Sequence, residues 1–414
     1  MIVFYFDTAL ATPGGVQTLI INITRKFTDR GEGVKIITRK SSFVYQVAAK
    51  KNLNFQFINI DEQFEDFVTA DDIIILFGFF EPILKRLIDT NARIFFWSVA
   101  TTTLVFIFGI RIPFTSRGVN NSNFLSRTYA KKLARLLSAS RSGYFMDQTH
   151  ISVIDHFGLK TYFDERNLLP VPVFIPNPVH VKQLPDLANS PLHIAYLGRS
   201  EEWKVFPCLR LILDIDQMKS AFDWHLHIIT EDEIRFRDFV AKYISDAAHI
   251  TITYHSALSG DKLDTFLMEN IHVLFGMGIS LLEGCKASIP SIVVDPCYSH
   301  ETPNAYRFVY NEAGFVLSCP SWLSTDIYKP ASHNLPDLFD DILKEQETYE
   351  AYCRRSYDYV NKNHNIDPWF PMFVNLIDNA TARISQMKFA NRFFKTRRWF
   401  YNVFESLAGR VKSL

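Results

Sequence analysis

The 414-residue sequence has no net charge, because 44 lysines and arginines balance 44 acids. Without a global positive field there is no electrostatic means of recruiting nucleic acid, and that class of partner is excluded. The five cysteines, Cys208, Cys285, Cys297, Cys319 and Cys353, form no CxxC pair. Neither a disulfide scaffold nor a structural zinc site is expected, no metal ligand set is singled out, and a reducing compartment fits. Long apolar runs are missing too. The longest, 99–110, stops at Arg111, short of the ~20 residues a spanning helix needs. The N-terminal run lacks a basic flank and is broken by Asp7, so it reads as a first strand and not as a leader. The expected location is cytoplasmic, free or on a membrane surface. No Walker A motif and no GxGxxG spacing occurs, which removes P-loop kinases and leaves a dinucleotide fingerprint unsupported. Glycine is scarce, at 16 residues, so each glycine pair carries information.

What is present is apolar. Hydrophobic residues make up 48% of the chain, enough for real cores in two or three domains of ordinary size. Short β-rich runs alternate with segments of helical period, the pattern of βαβ units and parallel sheets. Strands are predicted at 2–6, 34–38, 55–58, 73–77, 93–99, 143–146 and 171–175. Helical period is clear at Val16, Leu19, Ile20, Ile23 and Phe27, and again across 124–137. Pro176-Asn-Pro178 and the Pro-rich text of 183–191 interrupt this pattern. A second alternation follows, with strands at 193–197, 224–229, 250–254, 272–275, 291–294 and 315–317. Helices are expected at 209–218, 234–244 and 263–268, with a long one over 336–363 and a restart at Asp367. The fold class is therefore α/β, with two doubly wound, Rossmann-like halves at 1–182 and 183–363. A helical segment, 364–382, and a distinct tail, 383–414, complete the chain.

The tail carries Arg383, Lys388, Arg392, Lys395, Arg397, Arg398, Arg410 and Lys412 against one acid, Glu405. At helical period Phe389, Phe393, Phe400, Val403, Phe404, Leu407, Val411 and Leu414 fall on one stripe. That is the pattern of an interfacial helix on an anionic membrane surface. The alternative is a helix packed on the body with a solvated basic face.

Three loops can carry chemistry. Gly14-Gly15 follows the first strand and opens a helix whose free N–H groups suit an anion; a plain tight turn is the alternative. Gly198-Arg199 and Lys204 follow the first strand of the second half, at the strand end where ligands of open α/β sheets bind. Both cations can hold a pyrophosphate there, or they pair with Glu201 and Glu202. Gly278, Ile279 and Ser280 form an amide-rich turn, and Glu283 lies one turn into the helix behind it. That acid can grip a ribose diol or merely complement the helix dipole. Asp147 and His150 follow strand 143–146 and can point into a cleft between the halves, although a structural histidine is the plainer reading. The stretch 104–114 is either core or an apolar lip.

Together these motifs resemble the family 4 retaining glycosyltransferases of GT-B fold, of the type found in surface-polysaccharide assembly. The resemblance runs to about residue 380 and includes Gly14-Gly15-Val16, Ile175-Pro-Asn-Pro-Val179, Gly198-Arg199 with Lys204, and 278–290. It implies two domains facing across a cleft, an acceptor side in 1–182 and a nucleotide-sugar side in 183–363. It also implies that 364–382 crosses back to the first domain. By this resemblance Arg199 and Lys204 hold the diphosphate and are the catalytic pair. Gly14, Gly15, Gly198, Gly278, Ile279, Ser280 and Glu283 form the donor site. The implied activity is metal-independent transfer from a nucleotide-diphosphate sugar to a lipid-linked or polysaccharide acceptor, as in lipopolysaccharide or capsule synthesis, at the inner face of the cell membrane. No cofactor beyond the donor is implied. Two departures stand out. Phe275 occupies the position where the family places an acid eight residues before Glu283, and 98–103 lacks the family's histidine. A non-catalytic subunit of the same fold, or a sugar-nucleotide epimerase, is the alternative.

Overall fold

The computed structural model describes residues 1–7, 14–78, 85–101, 104, 124–156, 158–175, 182–218, 223–244, 249–256, 258–320 and 332–390. The first half contains β1 (Ile2–Tyr5), α1 (Gly15–Asp29), β2 (Val34–Thr38), α2 (Phe43–Lys50), β3 (Phe55–Asn59), β4 (Ile73–Leu76), β5 (Arg93–Ser98), α3 (Phe124–Ala139), β6 (Gly143–Phe145) and α4 (Gln148–His156). The second contains β7 (Leu192–Leu197), α5 (Glu202–Gln217), β8 (Trp224–Thr230), α6 (Glu233–Ala241), β9 (Ile250–Ser256), α7 (Asp261–Asn270), β10 (Val273–Gly276), α8 (Ile279–Lys286), β11 (Ser291–Val293) and β12 (Arg307–Phe308). It closes with α9 (Leu335–Ile342), α10 (Gln346–His364) and α11 (Ile366–Asp378).

Among the described residues the strands form two six-stranded sheets, ordered β3-β2-β1-β4-β5-β6 and β12-β11-β10-β7-β8-β9. Every pairing is parallel except β11 with β12. Helices cover both faces of such sheets, so the central strands are apolar throughout, as in the four buried residues of β4. The expected α/β class with two Rossmann-like halves is what the chain forms. In each sheet the order reverses beside the first strand, between β1 and β4 and between β7 and β10. In open α/β sheets the crevice that receives a ligand lies at the C-terminal ends of the strands flanking such a reversal.

Some elements differ from expectation. Residues 171–175 are not a strand: Pro170 and Pro172 have no N–H to donate, and only Val173 makes an isolated bridge, to Asn365. Residues 315–317 are not one either, because Gly314 and Phe315 have φ of 63° and 64°. The helix expected over 336–363 is two, broken where Glu345 is extended (φ −160°). α11 packs onto the first sheet and α1, with Trp369 5.5 Å from Trp97 and Phe373 5.8 Å from Phe95 on β5, and Phe370 4.8 Å from Phe27 on α1, between ring centroids.

The start of the tail is not an interfacial face. Arg383 donates to the carbonyls of Ala70 (3.1 Å) and Asn91 (2.7 Å), and Ile384 and Met387 are buried. Phe389 lies 5.9 Å from Tyr129, with Lys132 4.6 Å over its ring. These side chains close the first core, which outweighs solvation of one arginine. The remainder of the tail, the Pro-Asn-Pro turn and most of 104–114 lie outside the described residues. All five cysteines are buried and unpaired. No described helix is long and apolar enough to cross a membrane.

Candidate functional site

A cleft of about 410 Å³ lies between the two halves. Gly15 of α1, Val99 to Thr101 after β5, and Met146, Asp147, Thr149 and His150 at the β6–α4 turn line one wall. Arg199, Trp203, Lys204, Met277, Gly278, Ile279 and Ser280 line the other. Eight of the residues singled out from sequence thus meet in one space: Gly15, Asp147, His150, Arg199, Lys204, Gly278, Ile279 and Ser280.

Arg199 and Lys204 sit past the end of β7. Gly198 makes the turn possible, because a Cβ there would be 2.8 Å from the Tyr196 ring. Glu231, at the end of β8, holds the turn by accepting from the Ser200 amide (3.1 Å) and hydroxyl (2.9 Å). The Arg199 guanidinium is partly spent on Glu201, at 3.1 Å. Lys204 has no ion pair among the described residues, and its ammonium lies 5.0 Å over the Trp203 ring. Burial, with Arg199 alongside, pulls its pKa down to about 8. A half-buried ammonium next to a guanidinium is held at an energetic cost that an arriving diphosphate would offset.

The helix starts add to this positive wall. Neither α1 nor α8 has an acid in its first turn or a side-chain cap, so their leading N–H groups are left for a ligand. Gly278 (φ 63°, ψ −140°) takes a backbone conformation open in practice to glycine alone. Ile279 reaches across to the first domain: a Cβ on Gly15 would lie 3.2 Å from its Cδ1.

Opposite, the Asp147 carboxylate accepts from the Thr149 hydroxyl and lies 2.7 Å from His150 Nδ1. Both side chains are 1% exposed. The carboxylate fixes the ring with its proton on Nδ1, and Nε2 has no partner among the described residues. A buried ring nitrogen without a partner at the wall of a cleft can serve a ligand as hydrogen-bond acceptor or proton carrier.

Three expected site residues do not line the cleft. Glu283 is turned into an ion pair with Lys286 at 2.6 Å, which also reaches Asp264 at 3.3 Å. The spacing i, i+3 along α8 makes that pairing local and easy. Gly14 caps α1 from outside, and Gly198 lies behind Arg199. Phe275 is buried in β10 against Tyr306 and Phe339. The strand runs straight into Met277-Gly278, so this position presents no side chain to the cleft.

Sequence reading missed the residues that hold the third wall, 295–320. Arg307 is 1% exposed and pairs with Asp295 (2.7 Å) and Glu312 (3.1 Å), and Asp295 also accepts from the Cys319 amide at 2.7 Å. Pro207 inside α5 has no N–H for the Trp203 carbonyl, and the Cys297 amide donates there instead at 3.2 Å. This contact brings Pro296 and Tyr298 to the cleft. A larger hollow, about 970 Å³, lies between α5 and α9, and its Arg210 is paired with Asp214 at 2.6 Å.

No family model matches this chain. No curated protein matches it either. Solved structures do. HepE from Anabaena, in complex with UDP, covers 91% of this chain and 100% of its own with a TM-score of 0.59 at 9% identity. A glycosyltransferase from Rickettsia africae ESF-5 covers 92% and 98%, with a TM-score of 0.56 at 14% identity. WaaG, a glycosyltransferase involved in lipopolysaccharide biosynthesis, covers 92% and 100%, with a TM-score of 0.53 at 14% identity. The likeness extends over both halves. The chain has the GT-B fold.

Proposed function

We propose that this protein is a glycosyltransferase that moves a sugar from a nucleotide-diphosphate sugar to a lipid-linked or polysaccharide acceptor. The observation that carries this reading is the convergence of Arg199, Lys204 and the open start of α8 on one cleft, opposite Asp147 and His150. Departure of a nucleoside diphosphate builds charge on the β-phosphate, and fixed cations and amides in a partly dry cleft stabilise that charge as it forms. They supply what a divalent ion supplies elsewhere, so transfer is metal-independent in this reading. Closure of the two halves would limit hydrolysis of the donor. The fold neighbours support the donor class, since HepE is known with UDP and with UDP-glucose. Retention of configuration, membership of family 4 and the ribose role of Glu283 rest on the sequence resemblance; Glu283 would have to exchange Lys286 for the ribose. The remainder of the tail, with its apolar stripe and its cations, is proposed to hold the enzyme at an anionic membrane surface.

Isothermal titration of UDP into wild type and Arg199→Ala/Lys204→Ala tests the site. We expect the double variant to lose at least about 100-fold in affinity, as two charge-assisted contacts disappear. Equal affinity rejects the site. The buried Phe275 favours one second reading, a non-catalytic subunit of the same fold. Incubation of a nucleotide-sugar pool with membrane extract separates the readings: sugar on lipid or glycan supports transfer, an epimerised donor supports the epimerase, and no turnover with intact UDP binding supports the subunit.

A further inference from the structure

Five histidines lie together in the second domain, away from the cleft. His193 is on β7, His225 and His227 on β8, His255 on β9, and His272 directly precedes β10. Residues two apart on a strand share a face, so His225 and His227 project to the same side. Parallel register sets His193 beside His225 and Ala195 beside His227, which puts His193 on that side too. Ring centroids of the three are 4.9, 5.2 and 4.1 Å apart. One ring nitrogen from each lies within 4.8 Å of the others.

The surroundings order these rings. His193 Nδ1 is 2.9 Å from His227 Nε2, and His227 Nδ1 is 2.9 Å from His255 Nε2. His225 Nε2 is 2.8 Å from Thr253 Oγ1. The His193 backbone amide donates to His272 Nδ1 at 3.1 Å. Phe266 of α7 covers the group, 5.6 Å from His227 and 4.6 Å from His255. None of the five forms an ion pair with a carboxylate among the described residues.

We propose that His193, His225 and His227 bind a divalent transition-metal ion, zinc foremost, with a fourth position left to water. A His-x-His on one strand with a third imidazole on its neighbour supplies three nitrogen donors on one face, a donor set that suits zinc. Metal–nitrogen bonds of about 2.0–2.1 Å in a tetrahedral site place ligand nitrogens about 3.3 Å apart. The His193–His227 pair need open by only a few tenths of an ångström, with the ion taking the place of the shared proton. His255 then keeps its hydrogen bond to His227 Nδ1 and fixes the tautomer that turns Nε2 to the metal.

His193 is the second residue of β7 and Arg199 follows its end. At ~3.3 Å per residue the two are about 20 Å apart, so the ion stays clear of the diphosphate. It ties β7 to β8, the strands whose far ends carry Arg199 and Glu231, and its role is to brace the frame of the cleft.

The test uses the full chain, stripped with chelator and titrated with Zn²⁺ and with Co²⁺. We expect one equivalent bound at micromolar affinity or better, visible Co²⁺ bands of a four-coordinate site, and a rise in melting temperature. His193→Asn/His225→Asn should weaken Zn²⁺ binding by about 100-fold or more while UDP affinity stays unchanged. No stoichiometric binding by wild type, or equal Zn²⁺ affinity in the double variant, overturns the proposal. Should that variant fail to fold, X-ray absorption on the zinc-loaded wild type decides. Three imidazoles in the first shell support the site; sulfur ligands, or fewer imidazoles, overturn it.

Discussion

His150 is held by Asp147 through a 2.7 Å contact at Nδ1, while its Nε2 has no partner among the described residues. In the proposed reaction this nitrogen meets the donor sugar or the acceptor hydroxyl. His150→Ala should lower kcat by about 10²–10³, the usual range for a lost acid–base group, with UDP affinity changed less than about threefold. Asp147→Asn should act in the same direction by releasing the tautomer. Full turnover in both variants would make the pair structural.

Lys204 titrates near pH 8 in the free protein because burial and Arg199 disfavour its charge. A bound diphosphate raises that pKa. Affinity for UDP is therefore complete below pH 8 and declines as pH rises above it. Lys204→Met should bind more weakly, with a flat profile from about pH 7 to 9.5. Titration calorimetry across that range checks both, and a pH-independent wild type contradicts the assignment.

A Cβ on Gly278 would meet only open space, yet its φ of 63° with ψ −140° excludes other residues on backbone grounds. Gly278→Ala should cost about 1–3 kcal/mol in stability and weaken UDP binding by turning the amides of α8. Thermal unfolding with and without UDP measures the two effects separately.

Arg307 faces Asp295 and Glu312 in a setting where it is 1% exposed. Arg307→Met removes the guanidinium that both acids share and should destabilise the chain by about 3–5 kcal/mol. Denaturant unfolding followed by tryptophan fluorescence reads the loss; a change below about 1 kcal/mol would mean that the acids find water.

His364 is fully buried, donates from Nδ1 to the Val171 carbonyl at 2.7 Å, and packs near Tyr359 and Phe315. Burial lowers its pKa from 6.5 to about 4. Between these values the unfolded chain takes a proton that the folded chain refuses. This contribution is therefore complete above pH 6.5 and falls by roughly 3 kcal/mol as pH drops to 4. His364→Gln should flatten that part of the stability–pH curve.

Much of the fold is legible in the residues themselves. Alternating apolar runs and helical periods determine two α/β halves because periodicity is a local property, set by which face of each element must leave water. Glycine at the ends of β7 and β10 marks the ligand side of the second sheet for the same local reason, and Arg199 and Lys204 follow from their place after a strand. Short elements escape this logic: β12 has two residues, and prolines 170 and 172 cancel a run that composition alone reads as a strand.

Contacts between distant segments had to await the tertiary structure. Asp147 and His150 meet Arg199 across the cleft only because two sheets, each built from local signals, are joined and faced by α11. Glu283 turns to Lys286, Glu231 secures Ser200, and Arg307 gathers Asp295 and Glu312, each by a choice among partners that periodicity does not rank. The histidines make the point most clearly. His225-x-His227 is visible in the chain, but the third imidazole comes from strand order and register, which depend on the packing of the whole sheet.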